Sequence, residues 1–392
     1  MSHSCIVIDL SDGGTNWGQA VKMQKMWDTA YTFFDDMKAD NNVKESLPGM
    51  QVAEGAGSPH AVSGFASYGD GAMQFLETRI VRDSESRKLI PDVLEEDKVD
   101  SLIDAFDVMC EAGKNIVRVA VAAANMEYEA FMGESINVEE TSDLPLISGL
   151  TFDDSDIAGI VDVDDEGSYT GSAKLSSEAA AKMAEELIDD GKINNGNKEQ
   201  GNINMSPHRL CRYEGKSDAK QSDLKETFGA HTDCSFMTMV PVAEVSGLEI
   251  FDEGVEKWLR PELLARQHWE NERRERGLDP DVKTESITIF DGDDEKKVEI
   301  DWNSRYVVAM PGELLQIASR NEVAAAVHRV VSVTDGDARI SAPVLLRARS
   351  GMRMNSSKYF GSSETYGSLL KECDGMKLED IHDALQPSNY RN

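Results

Sequence analysis

A short segment near residue 230 carries a histidine and an aspartate at the spacing of a metal site. In GAHTDCSFMTMV, one residue separates His231 from Asp233. The segment is predicted to be a β-strand, in which residues i and i+2 point to the same face. The imidazole and the carboxylate then lie side by side, and Thr232 faces away. Such an HxD pair is common by chance, so a third ligand is needed to make the site specific.

His328 in AVHRVVSV is the candidate for that third ligand. The Asp335-Gly336 pair that follows is typical of a two-residue hairpin turn. With this turn, Ser332 lies opposite Arg339, and His328 shares one face with Arg339 and Ser341. Arg339 is then roughly 13 Å along the strand from the position opposite His328. This distance leaves room for a small dicarboxylate between a metal and a guanidinium.

Two histidines and one carboxylate on one side of a metal form the facial triad of non-haem iron oxygenases, which leaves three positions open. Arg339 offers the planar fork that binds a carboxylate through two hydrogen bonds, and Ser341 offers a second donor. Taken singly, a core histidine or an arginine that closes a sheet edge is the structural alternative for each of these residues. The whole set in this order and phase favours the metal site.

The elements that would position these residues divide the chain into three parts. Residues 1–204 are predicted to combine an opening strand with helices and short strands. Residues 205–350 contain short β-branched and aromatic runs between turn residues, which predicts a mainly β core. A charged stretch at about 260–300 is predicted to be a helix and a polar loop inserted between strands, and 351–392 a helical tail. Helical periodicity is clearest over 17–38 and 93–133.

The composition excludes several classes of protein. The 392 residues include 72 Asp and Glu against 40 Lys and Arg, a formal net charge of −32. Such a surface repels nucleic-acid phosphates and anionic membranes, so neither is expected as a partner. The five cysteines form no CxxC pair, which argues against a disulfide framework and a thiolate zinc site. Without a signal peptide or an apolar run of about 20 residues, we expect a cytoplasmic monomer that acts on a small molecule.

Taken together, these segments resemble the 2-oxoglutarate and Fe(II)-dependent oxygenases of the isopenicillin N synthase type. The matching stretches are IVIDLS at 6–11, SGFASYGDGAMQFLETRIV at 63–81, RLCRY at 209–213, GAHTDCSFMTMV at 229–240, SGLEIFD at 246–252, YVVAMPGELLQIAS at 306–319, VHRVV at 327–331 and RISAPVLL at 339–346. The resemblance implies a double-stranded β-helix, a jelly-roll barrel with flanking helices. It also implies Fe(II), 2-oxoglutarate and O2 as cofactors. Succinate and CO2 would be released as a small molecule is hydroxylated, desaturated or closed into a ring.

The resemblance carries over to single residues of this chain. It implies three iron ligands and three residues for the distal carboxylate of 2-oxoglutarate. The implied ligands are His231, Asp233 and His328, and the implied carboxylate-binding residues are Arg339, Ser341 and Tyr213. Cys211 stands where many members have asparagine, which leaves the contact to the inner end of the cosubstrate open. Glu313 replaces the usual aspartate after the turn residue Gly312, a conservative turn change.

No motif specifies the substrate. Arg79 and Arg82 lie in and just after the strand FLETRIV, where this family often places substrate contacts, and surface salt bridges are the alternative for both. The family includes ring-forming enzymes of specialised metabolism, such as the kainoid synthases of algae, but no motif selects that reaction. The sequence leaves open whether the 260–300 segment is a substrate lid, a partner surface or an inert insertion.

Two other functions remain open at this point. In the 2-oxoglutarate-independent branch, which includes isopenicillin N synthase, Arg339 and Ser341 would bind a carboxylate of the substrate instead. A non-catalytic barrel that binds a small acid is the alternative from another class. The full ligand set argues against it, because a binding protein has no use for three open iron positions.

Overall fold

A computed structural model describes the chain in fourteen segments. These are residues 5–11, 13–53, 58–69, 71–82, 87–123, 184–185, 187–192, 203–214, 226–252, 256–291, 294–318, 323–331, 338–353 and 375–385. The helices are α1 (Gly18–Ala39), α2 (Asn41–Ser46), α3 (Glu96–Ala123), α4 (Pro261–Glu275), α5 (Glu313–Ala318) and α6 (Leu378–Leu385). The strands are β1 (Ile6–Asp9), β2 (Gln51–Val52), β3 (Val62–Tyr68), β4 (Met73–Arg82), β5 (Arg87–Ile90), β6 (His208–Tyr213), β7 (Glu226–His231), β8 (Met237–Pro241), β9 (Leu248–Asp252), β10 (Lys257–Leu259), β11 (Thr284–Asp291), β12 (Asp294–Asp301), β13 (Tyr306–Pro311), β14 (His328–Val331), β15 (Arg339–Ser341) and β16 (Val344–Leu346). Within these segments, no helix has the length and apolar character that crossing a bilayer requires.

Two antiparallel sheets form the core. The main sheet has ten strands in the order β1-β13-β8-β16-β6-β4-β3-β2, with β15 paired to β6 and β5 paired to β4. The second sheet has the order β10-β9-β14-β7. From β6 onward, the chain passes back and forth between the two sheets, which is the jelly-roll arrangement. The predicted fold class, mainly β with flanking helices, is therefore confirmed.

Helices α1 and α3 pack against the main sheet. Their buried side chains share one apolar cluster with β4, β8 and β13, and each side chain of this size stabilises the fold by about 1.5–3 kcal/mol. Representative members are Trp27, Phe106, Leu76, Met239 and Val307. The helical periodicity predicted over 17–38 is confirmed. That over 93–133 is confirmed as far as Ala123, and 124–133 lie outside the described residues.

Strands from the N-terminal part extend the main sheet on both sides. β1 pairs with β13, and β4 pairs with β6. Residues 1–204 therefore contribute strands to the same sheet as residues 205–350. Of 351–392, the structure describes 351–353 and 375–385, and the latter include α6.

The charged segment at 260–300 folds as a helix followed by a hairpin. α4 begins with Pro261, whose fixed φ suits the first turn of a helix. β11 and β12 pair along their whole lengths, so the predicted polar loop was wrong. The alternating apolar residues of TESITIF and KKVEI are the strand signal, which the high charge obscured. Ile287 and Ile300 anchor the hairpin against Ala20 and Val21 of α1.

The strands that carry His328 and Arg339 are not joined as a hairpin. β14 pairs with β7 and β9, whereas β15 pairs with β6, so the two strands belong to different sheets. The hairpin ladder predicted from Asp335-Gly336 was wrong for these strands, and Asp335, Gly336 and Ser332 lie outside the described residues. Each strand finds its partners within its own sheet, and both contribute to the same pocket.

Candidate metal and cosubstrate site

The three predicted metal ligands meet between the two sheets. The ligand atoms of His231, Asp233 and His328 all lie within 4.8 Å of one another. Asp233 Oδ1 is 3.7 Å from His231 Nε2, and Asp233 Oδ2 is 3.5 Å from His328 Nε2. The two histidines are directly opposite each other in the β7–β14 ladder, with their ring centres 4.3 Å apart. The second sheet therefore supplies both imidazoles from neighbouring strands.

Backbone carbonyls orient both imidazoles. His231 Nδ1 lies 2.8 Å from the carbonyl oxygen of Gly229, and His328 Nδ1 lies 3.1 Å from that of Ala326. A ring nitrogen must carry its proton to donate to a carbonyl, so these contacts leave Nε2 as the lone-pair atom in each ring. Both Nε2 atoms face the Asp233 carboxylate. This is the donor arrangement that a divalent metal ion needs.

Asp233 lies in a turn beyond the end of β7. Because β7 ends at His231 and β8 begins at Met237, the single strand predicted over 229–240 was wrong. The carbonyl oxygen of Asp233 accepts hydrogen bonds from the backbone N–H groups of Ser235 at 3.0 Å and Glu313 at 2.8 Å. These bonds place Asp233 beside His231, so turn geometry rather than strand alternation brings the two side chains together.

The electrostatics favour a carboxylate next to neutral imidazoles. Burial raises the pKa of Asp233, but the two histidines and a 2.7 Å hydrogen bond from Thr238 Oγ1 outweigh burial, and the net pKa is lowered. Burial and the neighbouring His328 lower the pKa of His231. Metal binding requires deprotonated ligands, so both shifts suit it. A 2-His-1-carboxylate set of this kind fits Fe(II).

The Asp233 turn is supported by the start of α5. Thr232 does not line the pocket, and its Oγ1 donates to Glu313 Oε1 at 2.6 Å. A Cβ placed on Gly312 would lie 2.7 Å from the Asp233 carbonyl oxygen and would also overlap Ser235. Real Cβ atoms do not approach so closely, so this position needs glycine. Gly312 and Glu313 thus hold the turn that presents Asp233.

The wall of the pocket has three rows, which the register of β15, β6 and β4 sets. The first row is Arg339–Tyr213–Met73, the second is Ser341–Cys211–Phe75, and the third is Pro343–Arg209–Glu77. All of these except Glu77 line the pocket, together with the metal-ligand triad. Arg339, Tyr213 and Ser341, which were predicted to bind the cosubstrate, therefore lie in the first two rows of the wall.

Arg339 is buried beside an acidic residue of the 260–300 segment. Its Nη2 donates to Glu262 Oε1 at 2.7 Å, and the two side chains are 2% and 1% exposed. Its guanidinium carbon lies 5.5 Å from the centre of the Tyr213 ring. The Nε of Arg339 is buried without a hydrogen-bond partner among the described residues. Because a buried donor is normally satisfied, this N–H fits a site whose acceptor comes from a ligand.

Glu262 is a site residue that the sequence analysis missed. Besides Arg339, its carboxylate accepts the backbone N–H groups of Gly247 at 2.7 Å and Leu248 at 3.0 Å. Arg339 passes so close to Gly247 that a Cβ there would lie 2.7 Å from Arg339 Cδ. In sequence, an acidic residue in the first turn of a helix indicates only a favourable charge at the helix dipole. Nothing local predicts that it meets an arginine of β15.

The substrate role predicted for Arg79 is contradicted by its burial. Arg79 is 0% exposed, and Nη2 donates to Glu77 at 2.7 Å and Nε to the carbonyl oxygen of Val62 at 2.9 Å. Nη1 donates to the carbonyl oxygen of Met205. A guanidinium enclosed in this way stabilises the fold and cannot reach a ligand. Arg82 ends β4, and its role as a substrate contact stays a prediction.

A second group of potential metal ligands is already engaged by an arginine. Atoms of Asp9, His268 and Glu272 also lie within 4.8 Å of one another. Arg305, however, forms ion pairs with Asp9 at 2.6 Å and with Glu272 at 2.5 Å. These carboxylates therefore act as partners of Arg305.

Comparisons with known proteins add only a likeness in fold. No protein-family model and no curated protein matches this sequence. A full-length Neurospora crassa protein in complex with alpha-KG and thymine has a TM-score of 0.49 at 12% identity, over 97% of this chain and 87% of that chain. The rice dioxygenase for auxin oxidation has a TM-score of 0.40 at 15% identity, over 89% and 75%. The 2-oxoglutarate complex of Arabidopsis thaliana dioxygenase for auxin oxidation 1 has a TM-score of 0.42 at 14% identity, over 88% and 84%. Similarities this low do not carry a function over to this chain.

Proposed function

We propose that this protein is a non-haem Fe(II) oxygenase that uses 2-oxoglutarate and O2 to oxidise a small molecule. The observation that carries the proposal is the triad of His231, Asp233 and His328, whose donor atoms converge at one end of a pocket. Three ligands on one side leave open positions for reactants. Bound iron supplies oxygen activation coupled to decarboxylation of the 2-oxo acid, and the substrate undergoes hydroxylation, desaturation or ring closure.

Arg339 and Tyr213 of the first wall row and Ser341 of the second bind the cosubstrate. Arg339 binds the distal carboxylate of 2-oxoglutarate through its unpartnered Nε, and Ser341 adds a hydroxyl donor. Burial raises the pKa of Tyr213, so its phenol stays protonated and can donate as well. The charge of Glu262 balances that of Arg339 when the pocket is empty, which lowers the cost of burying the guanidinium.

The second wall row excludes water from the space before the triad. Phe75 and Cys211 are buried there. Burial raises the pKa of Cys211 to about 11, so the side chain is a neutral thiol near neutral pH. A neutral thiol does not compete with the histidines for iron, because only the thiolate is a good metal ligand. An apolar lining also strengthens the electrostatic contacts that orient the cosubstrate.

The test is an anaerobic titration. The protein loaded with Fe(II) is mixed with 2-oxoglutarate, and the visible metal-to-ligand charge-transfer band is recorded. We expect the band in the wild type and in His60→Ala, a histidine that pairs with Asp380 outside the pocket. His231→Ala should abolish it, and oxygen should then release succinate only from the forms that show the band.

Two results would contradict the proposal. A wild-type protein that binds iron without forming the band would remove 2-oxoglutarate from the assignment and favour the 2-oxoglutarate-independent reaction. An unchanged spectrum in His231→Ala would show that the triad does not hold the iron.

A further inference from the structure

We propose that Arg209 anchors a carboxylate of the substrate, which makes the substrate of this pocket a small organic acid. The proposal rests on the proposed function and adds a substrate class to it. Arg209 lies in the third wall row, on the same face of β6 as Cys211 and Tyr213. Four residues of strand separate it from the Arg339 row, which is roughly 13 Å. The pocket therefore carries one arginine at each end of its wall.

The guanidinium of Arg209 is oriented from behind. Its Nε donates to Glu77 Oε2 at 2.6 Å, and Glu77 is 1% exposed. The guanidinium carbon also lies 5.6 Å from the centre of the Phe75 ring. A buried carboxylate and an aromatic ring thus fix the plane of the guanidinium and the direction of its free edge.

The free edge of Arg209 opens to the pocket. The Arg209 side chain is 31% exposed, and it lines the pocket. None of the described side chains or carbonyls is hydrogen-bonded to its two Nη groups. Two parallel N–H groups at the end of a guanidinium match the two oxygens of a carboxylate. Arg209 is therefore prepared for end-on binding of such a group.

The charges around Glu77 leave this end of the pocket positive. Arg79, Arg209 and Arg347 all act on the single carboxylate of Glu77. The Nε atom of the half-buried Arg347 is also buried and has no hydrogen-bond partner among the described residues. Asp233 also attracts Arg209 and Arg347, but its charge is shared with the metal. At the other end, Arg339 is balanced one to one by Glu262.

This excess of positive charge indicates that the ligand at Arg209 is an anion. Buried or half-buried cations without a full complement of anions are costly, and a bound carboxylate removes part of that cost. The cosubstrate engages the Arg339 row with one end and the triad with the other, which leaves neither of its ends for Arg209. The anion at Arg209 must then belong to the molecule that is oxidised. Its C–H groups would lie along Phe75 and Leu345, between the arginine and the triad.

The experiment compares acids with their carboxamides. The full chain, loaded anaerobically with Fe(II) and 2-oxoglutarate, is titrated with matched pairs such as benzoate and benzamide, phenylacetate and phenylacetamide, and cinnamate and cinnamamide. Binding is followed by the change in the visible band, and oxygen is then admitted to measure stimulated succinate release. The variants are Arg209→Gln, Arg209→Lys and the control Arg212→Gln. Arg212 is a neighbour on the same strand that pairs with Glu214.

We expect at least one acid to bind the wild type about ten-fold or more tightly than its amide, which is the effect of one charge-assisted contact. Arg209→Gln should reduce that preference to within about two-fold, and Arg209→Lys should retain part of it. The dissociation constant of 2-oxoglutarate should change by less than about two-fold in both variants. If Arg209→Gln does not fold, Arg209→Met replaces it, because it keeps an apolar contact with Phe75 while Glu77 stays paired with Arg79.

Three outcomes would overturn the proposal. A preference for acids that persists without Arg209 would place the anchor elsewhere. Loss of 2-oxoglutarate binding in Arg209→Gln would assign Arg209 to the cosubstrate. A wild-type protein that shows the band but binds no acid better than its amide would exclude this substrate class. Failure of the proposed function itself is seen earlier, as absence of the band before any acid is added.

Discussion

At the scale of single residues, the site depends on buried charges that are held by specific partners. Arg339 and Glu262 are almost fully buried and meet at 2.7 Å. Removing one member of such a pair leaves an uncompensated charge in the interior, which usually costs about 3–5 kcal/mol. Under the proposed function, the same pair holds the guanidinium in place for the cosubstrate. Glu262 should therefore affect both stability and binding.

Glu262→Ala is predicted to lower the free energy of unfolding by about 3 kcal/mol. It should also weaken 2-oxoglutarate binding by about ten-fold or more, because the Arg339 side chain loses the contact that fixes it. Urea unfolding measures the first effect, and anaerobic titration of the visible band measures the second.

The matched control is Glu270→Ala on the same helix, which removes two partly exposed pairs, with Arg266 and with Arg274. Its unfolding and its cosubstrate affinity should stay close to those of the wild type. Wild-type affinity in a folded Glu262→Ala protein would mean that the barrel alone positions Arg339.

At the scale of elements, the turn between β7 and β8 and the start of α5 act as one unit. The turn carries Asp233, and α5 reaches it through the N–H of Glu313 and the close approach of Gly312. The histidines lie on β7 and β14, which pair directly and hold the two rings opposite each other. A change at this junction should move the carboxylate and leave the imidazoles in place.

Gly312→Ala is predicted to weaken Fe(II) binding and to destabilise the protein by about 1–3 kcal/mol, which is the usual cost of overpacking. The added Cβ overlaps the backbone at Asp233 and Ser235 and cannot be relieved by a side-chain rotation. Thermal unfolding and an iron titration against a competing chelator measure the two effects.

Gly49→Ala is the control, because a Cβ at Gly49 meets nothing within 4 Å. An iron affinity for Gly312→Ala equal to that of Gly49→Ala would show that the turn tolerates a shift of Asp233.

At the scale of the whole molecule, stability depends on pH through charges of both the surface and the interior. The net charge of −32 creates self-repulsion, which weakens as carboxylates are protonated. His208 has the opposite effect, because it lowers the stability of the fold as the pH falls. It is 1% exposed, with the ring of Phe106 6.4 Å away, and burial lowers its pKa from 6.5 to about 4.

Between pH 6.5 and pH 4, the unfolded chain therefore binds a proton at His208 that the folded chain does not. The contribution of His208 to stability is complete above pH 6.5 and is lost as the pH falls towards 4, by up to about 3 kcal/mol. Replacing it by a side chain that does not titrate, as in His208→Leu, should remove this loss. Urea unfolding at pH 7, 6, 5 and 4.5 gives the free energy of unfolding of both proteins. The effect of the surface charge is the same in both, so it cancels in the difference between them. Parallel stability curves would contradict the assignment.

The local part of the site was predictable from sequence. The HxD pair and the distal His328 depend on spacing, on short strands and on turn residues, all of which are encoded within a few positions. The three side chains accordingly come together in the structure. They do so even though the segment predicted as one strand, 229–240, forms the end of β7, a turn and most of β8. The jelly-roll core was predictable for the same reason, since short β-branched runs favour strands wherever they pair.

The pairing of distant elements was not predictable. The sequence placed His328 and Arg339 on one hairpin, whereas the fold places them in different sheets that share a pocket. Arg79 lay in the strand expected to carry substrate contacts, but its place in the sheet encloses it completely. Glu262 and Arg209 had no distinguishing local signal.

The amino-acid sequence by itself therefore determined which side chains can bind a metal and which runs form strands, because both follow from residue type and short-range spacing. Only the tertiary structure decided which charges meet. Arg339 pairs with Glu262 of an inserted helix, and Arg209 is held by Glu77 of the neighbouring strand. Such contacts join positions far apart in the chain, and their energies depend on burial that only the packed sheets create.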